Sequence, residues 1–562
     1  MGNHKIKFNE VTKFSTIKEM MELAVKEAGD KIAFKYREND SIVDVTYKEF
    51  QDDTFSLGTA LLENGFEKTH IAVIGDNSYD YITVYLTVLK SSGVIVPVDK
   101  ELLIEDIVNV VNDSDSTVLF YDMKHEKGLM ENEDKMPNIK YFIGFSRDED
   151  KGKFLSFKKF KEEGRNSFNN GNKKYNDLVS NENELKMLVY TSGTTGIAKG
   201  VMLTEHNLVY SVICGLETAT ILTRCVSVLP YHHTYEAVSG LLVAIHKRAT
   251  ICINENLKTV AKNLQFYKPD YIYLVPAFVE VFYKKIWSNA KKSGKDKALK
   301  ALIKISNGLR KVGIDVRRKL FKSVHEAFGG ELKEVVCGGA PIRPELATFF
   351  DSIGITLLNG YGITECSPLV SVNQFDFNDP KTVGVVLPCC EVKIENPTPD
   401  GDGEICVKGD VVMLGYYKNP TATEAVLKDG WFNTGDYGKI NEKGQLMITG
   451  RKKNLIVLEN GKNVFPEELE LHISSIPYVE DVVVYGVKNE SGAEVGLCAE
   501  VFANEDRLKE LEIEDVEVTL KKDISKVCEK LPIYKRITKV VLRSEPFEKT
   551  TTNKIKRANV GK

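Results

Sequence analysis

The sequence lacks any apolar run long enough to cross a membrane, and its polar first seven residues lack the apolar core of a secretory signal peptide. We therefore expect no transmembrane segment and no signal peptide. The Met1-Gly2 start is typical of N-myristoylation, but Ile6 stands where that signal needs Ser or Thr. Peripheral contact with a membrane stays open.

Cysteine and charge exclude further classes. The ten cysteines have no C-x-x-C spacing, and Cys389 and Cys390 are adjacent, so we expect small core residues in a reducing compartment. Neither zinc ligation nor a disulfide framework fits them. Lys plus Arg (76) nearly balance Asp plus Glu (80), which argues against a dedicated nucleic-acid-binding protein. No internal repeat or low-complexity tract is present, so a cytoplasmic enzyme is the default interpretation.

Length and periodicity predict the fold class. A chain of 562 residues exceeds one hydrophobic core, so two or more domains are expected. A hairpin over residues 32–45 precedes short apolar strands at 71–74, 94–98 and 117–121, which alternate with amphipathic helices. Such alternation predicts an α/β fold with parallel-type sheets covered by helices on both faces. Ligands of these sheets bind at the carboxyl ends of the strands.

Other stretches carry weaker signals. Periodicity weakens over residues 122–184, and residues 166–184 hold seven asparagines, which is typical of a surface connection. A helical run over 278–328 is strongly basic in part, and we interpret its Lys/Arg face as solvated. After residue 450, two helices and three strands predict a small α+β unit. Its tail, residues 549–562, has five basic residues and no acid.

Residues 190–201, YTSGTTGIAKGV, follow a predicted buried strand at 185–190. Their glycines allow backbone N–H groups to point at an anion, and four hydroxyls with one lysine suit a polyphosphate. A Walker loop needs Gly directly before its Lys, whereas Ala198 precedes Lys199 here. The following residues 201–204 also look extended, where a Walker loop would enter a helix. The alternative is a plain Ser/Thr/Gly surface turn.

The run T-S-G-T-T-G-x-x-K-G-V resembles the phosphate-loop signature of the adenylate-forming superfamily of acyl- and aryl-CoA synthetases, luciferases and peptide-synthetase adenylation domains. The resemblance covers nearly the whole chain, and segments 229–236 and 450–470 are most similar to the long-chain fatty acid–CoA ligase branch. It implies a large adenylation domain over 1–450, a hinge at 451–453 and a small swinging α+β domain over 454–562.

The resemblance also implies the ATP contacts. Gly339 and Ala340 lack bulky side chains, so adenine can approach the backbone. Asp436 suits the ribose because one carboxylate can accept hydrogen bonds from two hydroxyls. The implied set for the whole nucleotide is Thr191, Ser192, Gly193, Thr194, Thr195, Gly196, Lys199, Gly339, Ala340, Asn359, Gly360, Tyr361, Gly362, Thr364, Asp436 and Arg451.

Four residues are implied in catalysis. Glu365, in the run NGYGITE, matches the magnesium contact, because a hard cation takes carboxylate oxygen and bridges ATP phosphates. Thr364 beside it would reach the phosphate. His233, in LPYHHTYE, would line the carboxylate pocket; this segment lacks the Asp that holds an amino-acid substrate's ammonium. Lys554 would bridge the carboxylate and the α-phosphate, although Asn553 stands where the family usually has Gly.

The hinge region completes the resemblance. Lys453 matches the pivot, and Gly461 would lie near the thiol tunnel. Residues 403–409 and 414–417 match a segment of the family to which we assign no chemistry.

Together these features predict an acid–thiol ligase. With ATP and Mg²⁺ the enzyme would convert a carboxylic acid, which the resemblance indicates is a long-chain fatty acid, into an acyl-adenylate. Coenzyme A would then displace AMP. One alternative acceptor is a separate acyl-carrier protein, since no carrier domain follows in this sequence; aryl or medium-chain acids are alternative substrates. A non-catalytic nucleotide-binding scaffold is the alternative from another class, and it would show no carboxylate-dependent ATP–pyrophosphate exchange.

Overall fold

A computed structural model describes residues 6–38, 41–191, 198–489, 492–529, 531–549, 555–557 and 560–561 of the chain. The chain forms two compact units. The first comprises Met1–Ala340, Pro344–Glu391 and Val407–Phe432, and the second comprises Pro341–Arg343, Val392–Cys406 and Asn433–Lys562. The hinge at 451–453 stays a prediction.

The α-helices are α1 (Ile17–Ala28), α2 (Tyr47–Glu63), α3 (Tyr79–Leu89), α4 (Ile104–Asp113), α5 (Glu126–Glu131), α6 (Phe157–Asn169), α7 (Glu205–Thr218), α8 (Val243–His246), α9 (Val260–Tyr267), α10 (Pro276–Lys292), α11 (Asp296–Arg310), α12 (Arg317–Leu320), α13 (Lys322–Ala327), α14 (Pro344–Ser352), α15 (Pro420–Val426), α16 (Pro466–Ile473), α17 (Glu505–Glu510) and α18 (Val516–Val527). A π-helix spans Tyr235–Leu242, and short 3-10 helices include Thr364–Cys366 and Lys452–Asn454.

The strands are β1 (Ile32–Glu38), β2 (Ser41–Thr46), β3 (His70–Ile74), β4 (Val94–Val98), β5 (Ser116–Tyr121), β6 (Tyr141–Gly144), β7 (Phe154–Ser156), β8 (Leu185–Thr191), β9 (Lys199–Thr204), β10 (Arg224–Ser227), β11 (Thr250–Ile253), β12 (Tyr271–Leu274), β13 (Glu334–Cys337), β14 (Thr356–Gly362), β15 (Leu369–Val372), β16 (Val385–Val386), β17 (Cys390–Glu395), β18 (Gly403–Gly409), β19 (Gly415–Tyr416), β20 (Leu427–Lys428), β21 (Trp431–Ile440), β22 (Leu446–Arg451), β23 (Ile456–Val457), β24 (Asn463–Val464), β25 (Val479–Lys488), β26 (Glu494–Ala503) and β27 (Lys539–Arg543).

Two large sheets organise the first unit. One has the order β16-β15-β14-β13-β12-β10-β11-β1-β2, and its strands from β14 to β1 pair in parallel. The other has the order β19-β9-β8-β4-β3-β5-β6-β7 and is parallel from β8 to β7. Because parallel strands present their carboxyl ends at one edge, these sheets place the residues after β8, β13 and β14 where ligands usually bind. The α/β class is confirmed.

Local sequence explains why the helices begin where they do. Thr46 and Thr204 each accept a hydrogen bond from the backbone three residues on, and that residue's side chain bonds back, which completes a capping box. The buried apolar residues of β3, β4 and β5 pack with α4 into one hydrophobic cluster. Burial on both faces accounts for their continuous Val/Ile/Leu runs.

The second unit has its own core. Strands β25, β26 and β27 form a three-stranded sheet, and side chains of this sheet pack with α16 and α18. Strand β22 pairs antiparallel with β21. The helices and strands confirm the α+β pattern predicted after residue 450.

Three stretches differ from the pattern-based prediction. The weakly periodic region 122–184 contributes β6 and β7 to a sheet edge, because strands of three or four residues are too short to show alternation. The basic helical run breaks into α10, α11, α12 and α13. The apolar run over 237–246 has a pattern that predicts one α-helix, whereas the structure has a π-helix followed by α8. Among the described residues, no helix is long and apolar enough to span a membrane.

Candidate active site

The predicted phosphate loop joins β8 to β9, and Thr191 lies opposite Lys199 in the antiparallel pair. The predicted extended conformation after the loop is confirmed, since β9 continues to Thr204 before α7 begins. A strand after the loop distinguishes it from a Walker loop, which leads directly into a helix. Ser192, Gly193, Thr194, Thr195 and Gly196 lie outside the described residues.

Lys199 and Glu365 are brought together by a residue that the sequence did not single out. The Nζ atom of Lys199 lies 4.9 Å from the centre of the Tyr416 ring. The Tyr416 hydroxyl donates a hydrogen bond of 2.8 Å to Oε1 of Glu365. Glu365 and Thr364 belong to the half-buried 3-10 turn Thr364–Cys366, which contacts β9. The structure thus places the predicted phosphate and metal contacts around one aromatic ring.

The predicted adenine segment lies on β14. Asn359 and Tyr361 are buried, and the Asn359 amide donates to the Thr382 carbonyl at 3.2 Å. A Cβ atom at Gly362 would lie 2.3 Å from the Pro368 carbonyl oxygen, so this position requires glycine. Gly360 of β14 lies close to Gly338, which follows β13. A Cβ atom at Gly338 would approach the Gly360 carbonyl oxygen to 3.3 Å.

Gly339 and Ala340 lie just after β13, from which Gly338 separates them. Gly339 has φ of +82°, a backbone conformation that favours glycine. The segment containing His233 lies close by, because the Tyr235 hydroxyl is 3.1 Å from the Val336 carbonyl, to which it donates. The structure therefore brings the predicted carboxylate-pocket segment and the predicted adenine wall to the same sheet edge.

The two histidines of this segment have different surroundings. The rings of His232 and His233 lie 5.1 Å apart, and Nε2 of His232 is 3.5 Å from Asp99. Burial lowers the pKa of His232 to about 4 despite the nearby carboxylate. His232 is therefore neutral at physiological pH. The backbone carbonyl of His233, by contrast, accepts hydrogen bonds at the start of the π-helix.

A buried acid lies one turn further along. Glu236 is 2% exposed and accepts a hydrogen bond from the Ser227 hydroxyl. Burial raises its pKa to about 8, so the carboxyl keeps its proton at neutral pH. Its second oxygen, Oε2, has no hydrogen-bond partner among the residues that the structure describes.

We expect this acid to make stability fall as the pH rises. The unfolded chain ionises Glu236 near 4.5, whereas the folded chain keeps the proton to about pH 8, so the folded state binds the extra proton between these values. Each unit of pKa difference corresponds to about 1.4 kcal/mol. Denaturation midpoints across this pH window should therefore fall more steeply for the parent chain than for Glu236→Gln.

The exposed Glu163→Gln is the matched control for that measurement, because it makes the same chemical change on the surface. It should retain the parent's slope. An unchanged slope in Glu236→Gln would contradict the assignment of a proton to this carboxyl.

The predicted magnesium site fits a metal held mainly by its substrate. No group of three or more His, Cys, Asp or Glu side chains suited to a metal occurs in the described part of the chain. The described residues therefore hold no dedicated protein cage, and Glu365 supplies a carboxylate that contacts the same Tyr416 side chain as Lys199. Mg²⁺ is commonly bound by one or two carboxylates together with substrate phosphates, so this donor set suits Mg²⁺ carried by ATP.

In the second unit, Asp436 and Arg451 face each other across β21 and β22. They are register partners, and Nε of Arg451 lies 2.9 Å from Oδ1 of Asp436. The Asp436 side chain is almost fully buried, while Arg451 is half exposed. The ion pair sets a cation beside this buried carboxylate, and a carboxylate has acceptor sites on both oxygens for sugar hydroxyls.

The predicted hinge and tunnel residues follow directly. Lys453 lies in the 3-10 turn Lys452–Asn454, and burial lowers its pKa, with Arg451 and Arg557 adding to the effect. Lys452 pairs with Glu404 at 2.6 Å. Gly461 has φ of +75° in the turn between β23 and β24, and a Cβ atom there would meet nothing within 4 Å.

Lys554 lies outside the described residues, but its flanks are anchored. Lys549 and Ile555 form an antiparallel bridge. Arg557 forms an ion pair with the partly buried Glu470 of α16 and donates to the Val484 carbonyl of β25 at 3.4 Å. The arginine of the tail motif therefore has a structural role that the sequence pattern did not reveal.

The profile of the AMP-binding enzyme family matches residues 21–417, and the profile of its C-terminal domain matches residues 453–562. The chain belongs to the AMP-binding enzyme family. The resemblance to the adenylate-forming superfamily predicted from the motifs is thereby confirmed.

Relatives of this AMP-binding enzyme include fatty-acid ligases. The long-chain-fatty-acid–CoA ligase FadD15 of Mycobacterium bovis is 29% identical over 480 residues, covering 82% of this chain and 78% of that protein. Long-chain-fatty-acid–CoA ligase 5 of Rattus norvegicus is 28% identical over 499 residues, covering 83% and 72%. The chloroplastic long-chain-fatty-acid–[acyl-carrier-protein] ligase AEE15 of Arabidopsis thaliana is 25% identical over 586 residues, covering 91% and 79%.

Solved structures of the same fold cover nearly the whole chain. The anthranilate–CoA ligase AuaEII in complex with anthranoyl-AMP has a TM-score of 0.76 at 17% identity, covering 98% of this chain and 97% of that one. The adenylation domain of a carboxylate reductase from Mycobacterium chelonae has a TM-score of 0.79 at 20% identity, covering 97% and 89%. At these identities the likeness establishes the shared fold.

Proposed function

We propose that this enzyme activates a long-chain fatty acid with Mg·ATP and transfers the acyl group to coenzyme A. The observation that carries the proposal is the junction of Lys199, Tyr416 and Glu365 at the edge of the sheet, beside the phosphate loop. It brings a cation and a carboxylate to one tyrosine side chain, which supports the binding of a metal-bound triphosphate at this site. Relatives named as long-chain fatty-acid ligases support the acyl class.

The chemistry comprises two displacements. A carboxylate oxygen attacks the α-phosphorus of ATP, the bond to the β-phosphate breaks, and pyrophosphate leaves. The thiol sulfur of coenzyme A then attacks the acyl carbon, the bond to AMP breaks, and the thiol proton passes to solvent. Mg²⁺, when bound, neutralises phosphate charge.

The protein's part in the first step is electrostatic. A fatty-acid carboxylate and a triphosphate repel each other, so fixed cations lower the cost of their approach. Lys199 would hold the β- and γ-phosphates, Arg451 and Asp436 the ribose, and Lys554 the reacting oxygen. His233 would border the carboxylate pocket, with the neutral His232 adding no charge there.

A screen of AMP release tests the proposal. The purified full chain is incubated with Mg·ATP and a fatty, aryl or amino acid, with and without coenzyme A. We expect AMP release with long-chain fatty acids that rises strongly when coenzyme A is present. Preference for an aryl or amino acid would overturn the substrate class, and no release with any acid would favour the non-catalytic scaffold.

One observation favours a second acceptor. The relative from Arabidopsis thaliana is named as an acyl-carrier-protein ligase, and it covers more of this chain than the coenzyme A ligases described above. Supplying a purified carrier protein in place of coenzyme A would decide between them. If the acyl group is transferred faster to the carrier protein than to coenzyme A, the carrier protein is the acceptor.

We also propose a cytoplasmic location. All ten cysteines are free, and eight of them are buried, as expected in a reducing compartment. Fractionation of the native cells with an antibody against the chain tests this location.

The hinge makes a separate prediction. Lys453→Pro should spare acyl-adenylate formation and reduce thioester formation by at least about tenfold, because proline fixes φ where the small domain is expected to rotate. Pre-steady-state measurement of each step separates the two. Lys453→Ala, which keeps backbone freedom, is the matched control, and an unchanged second step in the proline variant would remove the hinge.

A further inference from the structure

Tyr416 touches two predicted site residues at once, although the sequence pattern assigned no chemistry to residues 414–417. Its side chain is 7% exposed. The hydroxyl donates a hydrogen bond to Glu365, while the face of the ring lies within cation–π distance of Lys199.

The backbone fixes this ring. Strand β19 pairs antiparallel with β9, which sets Tyr416 opposite Val201. The Tyr416 N–H donates to the Thr423 hydroxyl at 2.9 Å, and the Met413 N–H donates to the Glu365 carbonyl at 2.9 Å. Tyr416 and Met413 belong to one short segment, and Met413 is bonded to the backbone of Glu365. These contacts limit the motion of Tyr416 relative to Glu365.

We propose that Tyr416 is a positioning residue that fixes Glu365 and Lys199 for Mg·ATP; this inference rests on the proposed function. A hydrogen bond on Oε1 holds the carboxylate in one rotamer and leaves the orientation of Oε2 defined. The ring restrains a lysine that would otherwise lose much rotamer entropy when it binds phosphate. The two effects belong to different parts of one side chain, so they can be separated.

Tyr416→Phe removes the hydroxyl and keeps the ring, whereas Tyr416→Leu removes both. A hydrogen bond to a charged group corresponds to about a tenfold to hundredfold change in affinity, so Tyr416→Phe should raise the Mg²⁺ concentration needed for ATP binding by about tenfold. Calorimetric titration of ATP at several Mg²⁺ concentrations measures this without turnover. Tyr416→Leu should also weaken ATP binding at saturating Mg²⁺.

Tyr417→Phe is the matched control. It removes a hydroxyl from the next residue, which donates to Asp115 at 2.8 Å, away from Glu365. This variant should bind Mg·ATP as the parent does. Parent-like Mg²⁺ dependence in Tyr416→Phe, or equal weakening in Tyr417→Phe, would overturn the proposal. Absence of acid-dependent turnover in the parent would instead contradict the proposed function.

Discussion

Lys554→Ala is expected to slow acyl-adenylate formation by at least about hundredfold, because one donor aimed at developing charge commonly contributes that much. The carboxylate oxygen and the α-phosphate both carry negative charge as the new bond forms, and Lys554 is the proposed bridge. Thioester formation from supplied acyl-AMP should change by less than about threefold, since that step starts after the phosphate has been attacked. Single-turnover measurements of each step check both expectations.

Lys556→Ala is the control for this result. It removes an exposed lysine two residues after Lys554. The adjacent Arg557 attaches this part of the tail to Glu470 of α16 by an ion pair. It should leave both steps near parent rates. Equal losses in the two steps of Lys554→Ala would show that this lysine supports the fold or general binding and has no bridging role.

Glu365→Ala is expected to lower the use of Mg·ATP by at least about hundredfold, because it removes the carboxylate proposed to hold the metal. Glu365→Gln provides a sharper comparison. It keeps an oxygen that can accept the Tyr416 hydrogen bond but removes the negative charge. Both variants should require far more Mg²⁺ for pyrophosphate exchange, and parent-like metal dependence in either would refute the metal assignment.

Much of the fold could be predicted from local sequence. Capping residues such as Thr46 and Thr204 mark helix starts with their own side chains, and the apolar runs of β3 and β4 are short and unbroken. These signals are local, so a reader of the sequence sees them without knowing the tertiary structure. The extended residues after the phosphate loop were predicted on the same basis.

The rest depends on contacts between distant parts of the chain. Tyr416 lies 51 positions after Glu365, and their meeting requires β19 to pair with β9 at a sheet edge. No periodicity reports such a pairing. Similarly, Glu470 holds the tail through an ion pair with Arg557, which lies 87 positions later. The π-helix at Tyr235–Leu242 differs from an α-helix in hydrogen bonding while sharing its apolar pattern, so the sequence could not distinguish them.

The structure describes part of the predicted site, and the roles of its residues stay predictions. Lys199 and Glu365 meet around Tyr416, and Asp436 pairs with Arg451. The glycine-rich loop and Lys554 rest on the family motifs alone. Their roles remain proposals that the variants above can test.

Carboxylate-dependent exchange of labelled pyrophosphate into ATP tests the central claim most directly. The account predicts exchange that requires a long-chain fatty acid and Mg²⁺ and that proceeds without coenzyme A, because adenylation is reversible before the thiol acts. Exchange that needs no acid, or no exchange with any fatty, aryl or amino acid, would contradict it.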